Sequence, residues 1–337
     1  MGANFLGKTA LRRMMLVVSK ACFAAAACAL LAGCDYSATA ELHTGNVENN
    51  ELRIGYQKSN VLLNLMRVRR VLEQKLEPGV HVVWQEFPAG PQLLEGLNIG
   101  SIDFGCTGEV PPVFAQAADA PLLYVLSERA GPATEAIVVR SDSPIKTVAD
   151  LKGKRVALNK ASNVHYLLVR AIEKVGLTWS DIEPVYLTPA DARAAFESSR
   201  VDAWAIWDPY YAQIVDAGQA RLLADGTGLV ENRGYYLATR QLVSGQPQSF
   251  RVLLAELRAM SKWGDTHRDE LSDFFAKVLE MDPRVMRVVG HRRKFGMESI
   301  GPEIVAYQQQ IADTFLRLGL IPRAVDVDQA VWNEDRK

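Results

Sequence analysis

The fold is decided by the stretch Val201-Asp202-Ala203-Trp204-Ala205-Ile206-Trp207-Asp208-Pro209-Tyr210-Tyr211. Its first seven residues are largely apolar and follow a polar segment, which is typical of a short buried strand. Asp208 is a favoured helix N-cap and Pro209 is favoured at the first helical position, so a helix is predicted directly afterwards. A strand ending in a large aromatic residue beside a helix N-terminus is where open α/β sheets bind ligands. The stretch therefore predicts a ligand site with Trp207 as one wall.

Both halves of the chain repeat this pattern of strand, turn and helix. Residues 53–61 have a near copy in residues 155–164, and residues 101–103 have a partner in residues 200–202. Alternating strands and helices predict an α/β fold with two lobes, each built on a doubly wound, mainly parallel sheet. Two predicted strands, 136–140 and 235–239, lead out of the first lobe and back again. The expected division is 51–137 with 240–337 in lobe 1, and 138–239 in lobe 2.

The N-terminus has the features of a secretory leader over residues 1–33. A basic segment precedes an apolar run from Ala21 to Ala32, which is too short to span a membrane. The run ends in Leu31-Ala32-Gly33-Cys34, which resembles a bacterial lipobox and implies lipidation of Cys34. The alternative is an ordinary leader with Cys34 incidental. Residues 34–50 are polar and are predicted to be a flexible linker, and Asp35 resembles the signal that keeps lipoproteins at the inner membrane.

Composition excludes several classes of function. Without residues 1–33 the chain has 34 basic and 39 acidic residues, a net charge of −5, and it has no basic block that would indicate nucleic-acid binding. After loss of the leader and lipidation of Cys34, Cys106 is the single free cysteine, so no internal disulfide is expected. The sequence has no motif for a metal, a cofactor or a catalytic nucleophile.

Four strand-to-helix turns supply the candidate ligand residues. If the lobes face each other, these turns meet in one cleft, where helix N-termini and short polar side chains favour an anion. A sulfonate suits such a site, because it has three acceptor oxygens, stays ionised and needs no proton exchange. Glycine allows the backbone to approach closely. The candidate residues are Gln57, Lys58, Thr107, Gly108, Glu109, Ser162, Asn163, Trp207 and Asp208.

Several of these residues also have a simpler structural interpretation. Lys58 is equally well explained as a solvated surface charge, and Asp208 as a helix cap that would repel an anion. His165 is interpreted as a buried structural histidine, and Trp204, which alternates with Trp207 along the strand, as core. The basic cluster of residues 291–294 is interpreted as a solvated loop.

With these motifs assembled, the chain resembles the aliphatic sulfonate-binding proteins of bacterial ABC importers from about Leu52 to Val331. The resemblance implies a type II periplasmic binding fold with a two-strand hinge, no turnover, and delivery of the ligand to a permease with ATPase subunits. It places ligand contacts at Gln57, Thr107, Gly108, Ser162, Asn163, Trp207 and Asp208. Glu109 and Ser59 depart from the Asp and Gly usual in the family. The resemblance rests on residues 52–58, 86–92, 100–105, 143–153, 187–196 and 204–211.

The resemblance leaves the ligand and the biological setting open. Taurine, other sulfonates, a sulfate ester or nitrate are alternatives, as is a two-lobed enzyme of thiamine-precursor synthesis, although that group's cysteine-rich motif is absent. A sensory lipoprotein is a third alternative. We expect a monomer in the periplasm, anchored to the inner membrane by an N-terminal lipid.

Overall fold

The computed structural model describes residues 50–333, and the predicted leader and Cys34 lie outside these residues. The described part contains the following strands and helices in chain order: β1 (Glu51–Tyr56), α1 (Val61–Val68), α2 (Val71–Lys75), β2 (His81–Glu86), α3 (Gly90–Asn98), β3 (Phe104–Gly108), α4 (Val110–Ala117), β4 (Leu122–Glu128), β5 (Glu135–Arg140), β6 (Arg155–Leu158), α5 (Asn163–Lys174), β7 (Glu183–Tyr186), α6 (Pro189–Glu197), β8 (Ala203–Trp207), α7 (Tyr210–Asp216), β9 (Ala220–Asp225), β10 (Gly234–Thr239), α8 (Arg240–Gly245), α9 (Pro247–Thr266), α10 (Arg268–Leu279), α11 (Pro283–Arg292), β11 (Met297–Glu298) and α12 (Pro302–Arg317).

The strands form two sheets, with the orders β11-β4-β10-β3-β1-β2 and β7-β6-β8-β5-β9. In the first sheet β1 pairs in parallel with β2 and β3, and β10 lies antiparallel between β3 and β4. In the second sheet β6 pairs in parallel with β7 and β8, and β5 lies antiparallel between β8 and β9. Four strands of each sheet therefore run in one direction around one inserted strand. This arrangement confirms the predicted two-lobed α/β fold.

The two antiparallel strands β5 and β10 come directly after the two segments in which the chain passes from one sheet to the other. β5 follows the first crossing and lies wholly in the second sheet, whereas β10 follows the return and lies in the first. The predicted boundary at 137/138 therefore cuts β5, and the predicted boundary at 239/240 assigns β10 to the wrong lobe. Sheet pairing places the hinge segments at residues 129–134 and 226–233. The sequence did not reveal this because the pairing of β10 is with strands more than 100 residues earlier.

A continuous apolar cluster spans both lobes on the side of α5. It joins residues of the first lobe such as Val113 and Phe315 to residues of the second such as Leu167 and Ala203. His165 is fully buried within this region, and its ring lies 5.1 Å from the ring of Phe315 in α12. Burial lowers the pKa of His165 to about 3, so the ring is neutral. The prediction of a buried structural histidine is therefore confirmed.

The remaining core divides between the lobes. The first lobe buries one face of its sheet under α1, α9, α10 and α11. The second lobe buries Trp204 with Phe196 and Ile206 under α6 and α7, which confirms Trp204 as a core residue. None of the helices within residues 50–333 combines the length and the apolar character that a membrane crossing requires.

Candidate functional site

A cavity of about 120 Å³ lies between the two lobes, at the carboxyl ends of β1, β3 and β8 and beside the hinge segments. Eight of the nine predicted ligand residues line it. They are Gln57, Lys58, Thr107, Gly108, Ser162, Asn163, Trp207 and Asp208. The four turns thus meet in one place, because strands of one direction end at the same edge of each sheet and the two edges face each other.

The first lobe contributes the turns after β1 and at the end of β3, which are fixed to each other and leave one hydroxyl group unpaired in the described part of the chain. The side-chain amide of Gln57 donates to the Cys106 carbonyl oxygen at 3.0 Å, which fixes the turn after β1 against β3. The hydroxyl of Thr107 is buried but has no hydrogen-bond partner within residues 50–333. Lys58 is exposed at the rim. Since buried polar groups are normally paired, the Thr107 hydroxyl is available to a bound molecule.

The second lobe closes on the first through Asn163, the first residue of α5. Its side-chain oxygen accepts from the Val110 amide at 3.3 Å, and its amide nitrogen donates to Asn232 in the hinge at 2.6 Å. A Cβ atom at Gly108 would lie 2.1 Å from the Asn163 oxygen. The close approach predicted for Gly108 is therefore to the opposite lobe. Ser162 occupies the N-cap position of α5, and its hydroxyl donates to the Asn159 carbonyl oxygen at 2.7 Å.

A second contact between the lobes joins Asp208 to Arg292 at the end of α11. The guanidinium Nη1 donates to both carboxylate oxygens at 3.0 and 3.2 Å. The guanidinium carbon lies 4.2 Å from the centre of the Tyr211 ring. The carboxylate of Asp208 also accepts from the Ala212 amide in the first turn of α7, as expected of a capping group. Burial raises the pKa of Asp208 to about 6, and Arg292 opposes that shift. The helix itself begins at Tyr210, one residue later than predicted from the cap.

The basic cluster 291–294 is therefore not a solvated loop. Arg292 bridges the lobes, and both Arg293 and Lys294 line the cavity. The Arg293 guanidinium donates to the Ser59 carbonyl oxygen at 3.1 Å and to Glu128 at 3.5 Å. A run of four basic side chains contains no periodicity that distinguishes exposed from paired positions, so the sequence interpretation was wrong here.

Glu109 is the predicted residue that does not face the cavity. Its carboxylate is fully buried and accepts from the Arg233 amide at 2.8 Å and from the Tyr307 hydroxyl at 3.1 Å. Burial raises its pKa to about 7. Glu109 thus ties the turn after β3 to the second hinge segment and to α12, and it makes no contribution to the cavity wall.

Other residues of the wall were missed by sequence reasoning. Glu135 begins β5, and both of its carboxylate oxygens are buried without a hydrogen-bond partner among the described residues. Asn232 has a φ of 50°, a conformation that asparagine tolerates better than most residues. The Asn232-Arg233-Gly234 sequence, which runs into the start of β10, was the available signal for a hinge turn. The missed residues with polar side chains include Asn60, Glu128, Arg129, Thr134, Glu135, Asn232, Arg233, Arg293 and Lys294.

The chemistry of the cavity favours binding rather than covalent reaction. The Cys106 thiol is buried, and burial raises its pKa well above the ordinary value, which disfavours the nucleophilic thiolate. Within residues 50–333 no group of three or more His, Cys, Asp or Glu side chains is placed to hold a metal ion. The cavity instead combines cationic side chains, an unpaired hydroxyl and an aromatic wall.

Two lobes that close over a polar cavity through two hinge segments define a bilobed solute-binding protein. The sequence matches the family described as NMT1/THI5 like over residues 77–236. It is 45% identical to an aliphatic sulfonates-binding protein of Escherichia coli K12 over 282 residues, which are 83% of this chain and 88% of that protein. The chain belongs to the family of aliphatic sulfonate-binding proteins.

Solved structures agree with this assignment. The alkanesulfonate-binding protein of Xanthomonas axonopodis pv. citri, bound to MOPS, superposes with a TM-score of 0.80 at 43% identity, covering 84% of this chain and 98% of that one. The periplasmic aliphatic sulphonate binding protein of Escherichia coli gives a TM-score of 0.76 at 44% identity, covering 84% and 97%. Both relatives share the arrangement of lobes almost over their full length.

Proposed function

We propose that this protein captures an organosulfonate in the cavity between its lobes and delivers it to an ABC permease with ATPase subunits. The observation that carries the proposal is the cavity itself. It presents the free Thr107 hydroxyl and the cationic Lys58, Arg293 and Lys294 beside the apolar wall of Trp207. A sulfonate head offers acceptor oxygens to these donors, and its hydrocarbon tail suits the indole. Two relatives above 40% identity carry sulfonate binding in their names.

The cellular setting follows from the same family membership. We place the protein in the periplasm, because the Escherichia coli relative is named a periplasmic binding protein. Lipidation of Cys34 and anchoring to the inner membrane stay predictions. The protein is expected to act as a monomer and to release its ligand unchanged. Lipidation is testable by mass spectrometry of the mature N-terminus, where an unmodified Cys34 would contradict it.

Calorimetry with a panel of alkanesulfonates, aryl sulfonates, sulfate esters, nitrate and carboxylates tests the ligand class. We expect one-to-one binding of at least one sulfonate and recovery of the unaltered ligand. A ligand that binds only the folded state stabilises it by about 2.7 kcal/mol at a hundredfold excess over its Kd. Binding of nitrate or carboxylates in preference to every sulfonate would contradict the proposal. Conversion of any ligand to product would instead identify an enzyme.

A further inference from the structure

Three carboxyl groups face the cavity, and one of them has no partner. Asp208 is paired with Arg292, and Glu128 accepts from the Tyr236 hydroxyl at 3.1 Å and from Arg293. The Glu135 side chain is fully buried, yet neither oxygen has a hydrogen-bond partner within residues 50–333. Enclosing a carboxyl group without a partner costs free energy. Such a group in a binding cavity is best explained by a donor that arrives with the ligand.

The position of Glu135 in the second sheet places it beside the aromatic wall. Glu135 and Trp207 are directly opposed on the antiparallel strands β5 and β8. Directly opposed residues project their side chains from the same face of a sheet with Cβ atoms about 5 Å apart. An unpaired carboxyl group next to an indole ring is suited to a protonated amine, because the carboxylate pairs with its charge and the ring attracts it through the π face.

The charges of the cavity differ between its two sides. The cationic side chains on the wall, Lys58, Arg129, Arg233, Arg293 and Lys294, belong to the first lobe or to the hinge segments. The second lobe contributes Glu135 and Asp208, and Asp208 already has its guanidinium partner. The charged side chain that acts on Glu135 is a further carboxyl group, that of Glu109. A sulfonate, which has only acceptor oxygens, suits the cationic side and leaves Glu135 unsatisfied.

We propose that Glu135 and Trp207 form a subsite for a protonated amine, and that the cavity takes zwitterionic aminoalkanesulfonates in preference to plain alkanesulfonates. The inference rests on the proposed function, since it adds a second recognition point to a sulfonate site. The sulfonate lies toward the basic side chains of the first lobe, and the ammonium group lies against the second lobe. The ligand thus joins the two lobes by charges of opposite sign.

The protonation state of Glu135 provides a second signature. Burial, and then the nearby Glu109, raise the pKa of Glu135 well above its ordinary value. The raised pKa favours the neutral carboxyl group in the unliganded cavity. An arriving ammonium group favours the carboxylate, so a proton leaves Glu135 for solvent. Binding of an aminoalkanesulfonate is therefore expected to release protons to the buffer, whereas binding of an alkanesulfonate is expected to release none.

A matched pair of ligands tests the subsite. 3-Aminopropanesulfonate and butanesulfonate have the same number of heavy atoms and differ in an ammonium against a methyl group. The affinities of both ligands are measured by calorimetry on the same protein, once in phosphate and once in Tris. Neither buffer contains a sulfonate, and the two differ in heat of ionisation, so the difference in binding enthalpy between them reports proton release. We expect the amine ligand to bind at least about tenfold more tightly, as one charged hydrogen bond provides. Glu135→Gln should lower the affinity for the amine ligand more than that for butanesulfonate and so remove the preference.

The outcomes separate this inference from the function on which it rests. Binding of neither ligand to the wild-type protein would contradict sulfonate capture itself. Binding of butanesulfonate as tightly as the amine ligand, or an unchanged amine preference in Glu135→Gln, would contradict the subsite alone. An equal loss of both ligands in Glu135→Gln would show that Glu135 maintains the shape of the cavity rather than selecting the amine, and would also overturn the subsite. Glu183→Gln, an exposed change in β7 of the same sheet, should keep the wild-type preference and serves as the control.

Discussion

Breaking the ion pair between Arg292 and Asp208 should weaken ligand binding without unfolding the protein. The pair connects α11 of the first lobe to the start of α7 in the second, with side-chain exposures of 23% and 4%. In a bilobed protein, closure on the ligand is part of binding. Arg292→Met removes the guanidinium and leaves the Asp208 carboxylate buried without its cation whenever the lobes are closed. In the open form water reaches the carboxylate, so the penalty falls on the closed form.

The size of the effect follows from the burial of the pair. Removing one partner of a fully buried pair costs about 3–5 kcal/mol. Arg292 keeps part of its exposure and Asp208 retains the Ala212 amide as a donor, so we expect about 2 kcal/mol in this case. That free energy corresponds to an affinity about thirtyfold weaker. Loss of the contact with the Tyr211 ring acts in the same direction.

Calorimetry with the best-binding sulfonate and small-angle scattering with and without ligand measure the two consequences. Arg292→Met should bind more weakly and should need more ligand to reach the compact scattering profile. Arg284→Met is the matched control, because Arg284 lies in the same helix and also pairs with an aspartate, Asp282. The Arg284 side chain is 77% exposed, and an ion pair at such an exposed position contributes little to stability. An Arg292→Met affinity within twofold of wild type would refute the role of this contact in closure.

Three further changes test other parts of the site. Thr107→Val removes a buried hydroxyl group that lacks a hydrogen-bond partner among the described residues. Calorimetry should find that the variant binds sulfonate more weakly by about 1 kcal/mol, while the melting temperature of the unliganded protein stays equal or rises. A lower melting temperature would contradict this account. Trp207→Ala removes the apolar wall and should weaken long-chain sulfonates more than short ones, and equal losses for both chain lengths would place the tail elsewhere. The pKa of Glu109, raised from 4.5 to about 7, makes the folded state bind the proton more tightly than the unfolded state. The contribution of Glu109 to the free energy of unfolding should therefore be fully present below about pH 4.5 and be lost as the pH rises through 7, a decrease of about 3 kcal/mol. Glu109→Gln should flatten that profile in urea unfolding measured across this range, and an unchanged slope would assign it to other groups.

The parts of the fold that depend on local sequence could be predicted. The short apolar run after Asp202 located β8, which the structure places at Ala203–Trp207. The internal copy of residues 53–61 in residues 155–164 correctly indicated two similar lobes. The sheet to which β10 belongs could not be predicted, because its pairing with β3 and β4 depends on contacts between distant parts of the chain.

The site was predictable to the extent that it is built from turns. Gln57, Thr107, Asn163 and Trp207 meet in the cavity because each follows or ends a strand of the same direction. Side-chain direction was not predictable. Glu109 turns toward Arg233 and Tyr307 rather than toward the cleft, and its neighbours across space are more than 100 residues away.

Glu135 and Arg292 are two residues of the site whose roles could not be predicted from the sequence. Glu135 precedes the apolar run of β5, where a charged residue is ordinarily interpreted as the polar end of a strand. Arg292 is the last residue of an amphipathic helix and belongs to a basic cluster. Its pairing with Asp208 cannot be predicted from the neighbouring sequence, because the two residues are distant along the chain. In both cases the tertiary partner, or the lack of one, determines the role of the residue.

The apolar cluster shared by the two lobes has a consequence for cooperativity. Its members include Val113 and Phe315 from one lobe and Leu167 and Leu168 from the other. Separating the lobes completely would expose these side chains to water, so neither sheet with its helices is expected to be a stable folding unit alone. Heating should therefore give one calorimetric transition with matching calorimetric and van't Hoff enthalpies. Cutting the chain at the two hinge segments should yield fragments that aggregate rather than two soluble domains.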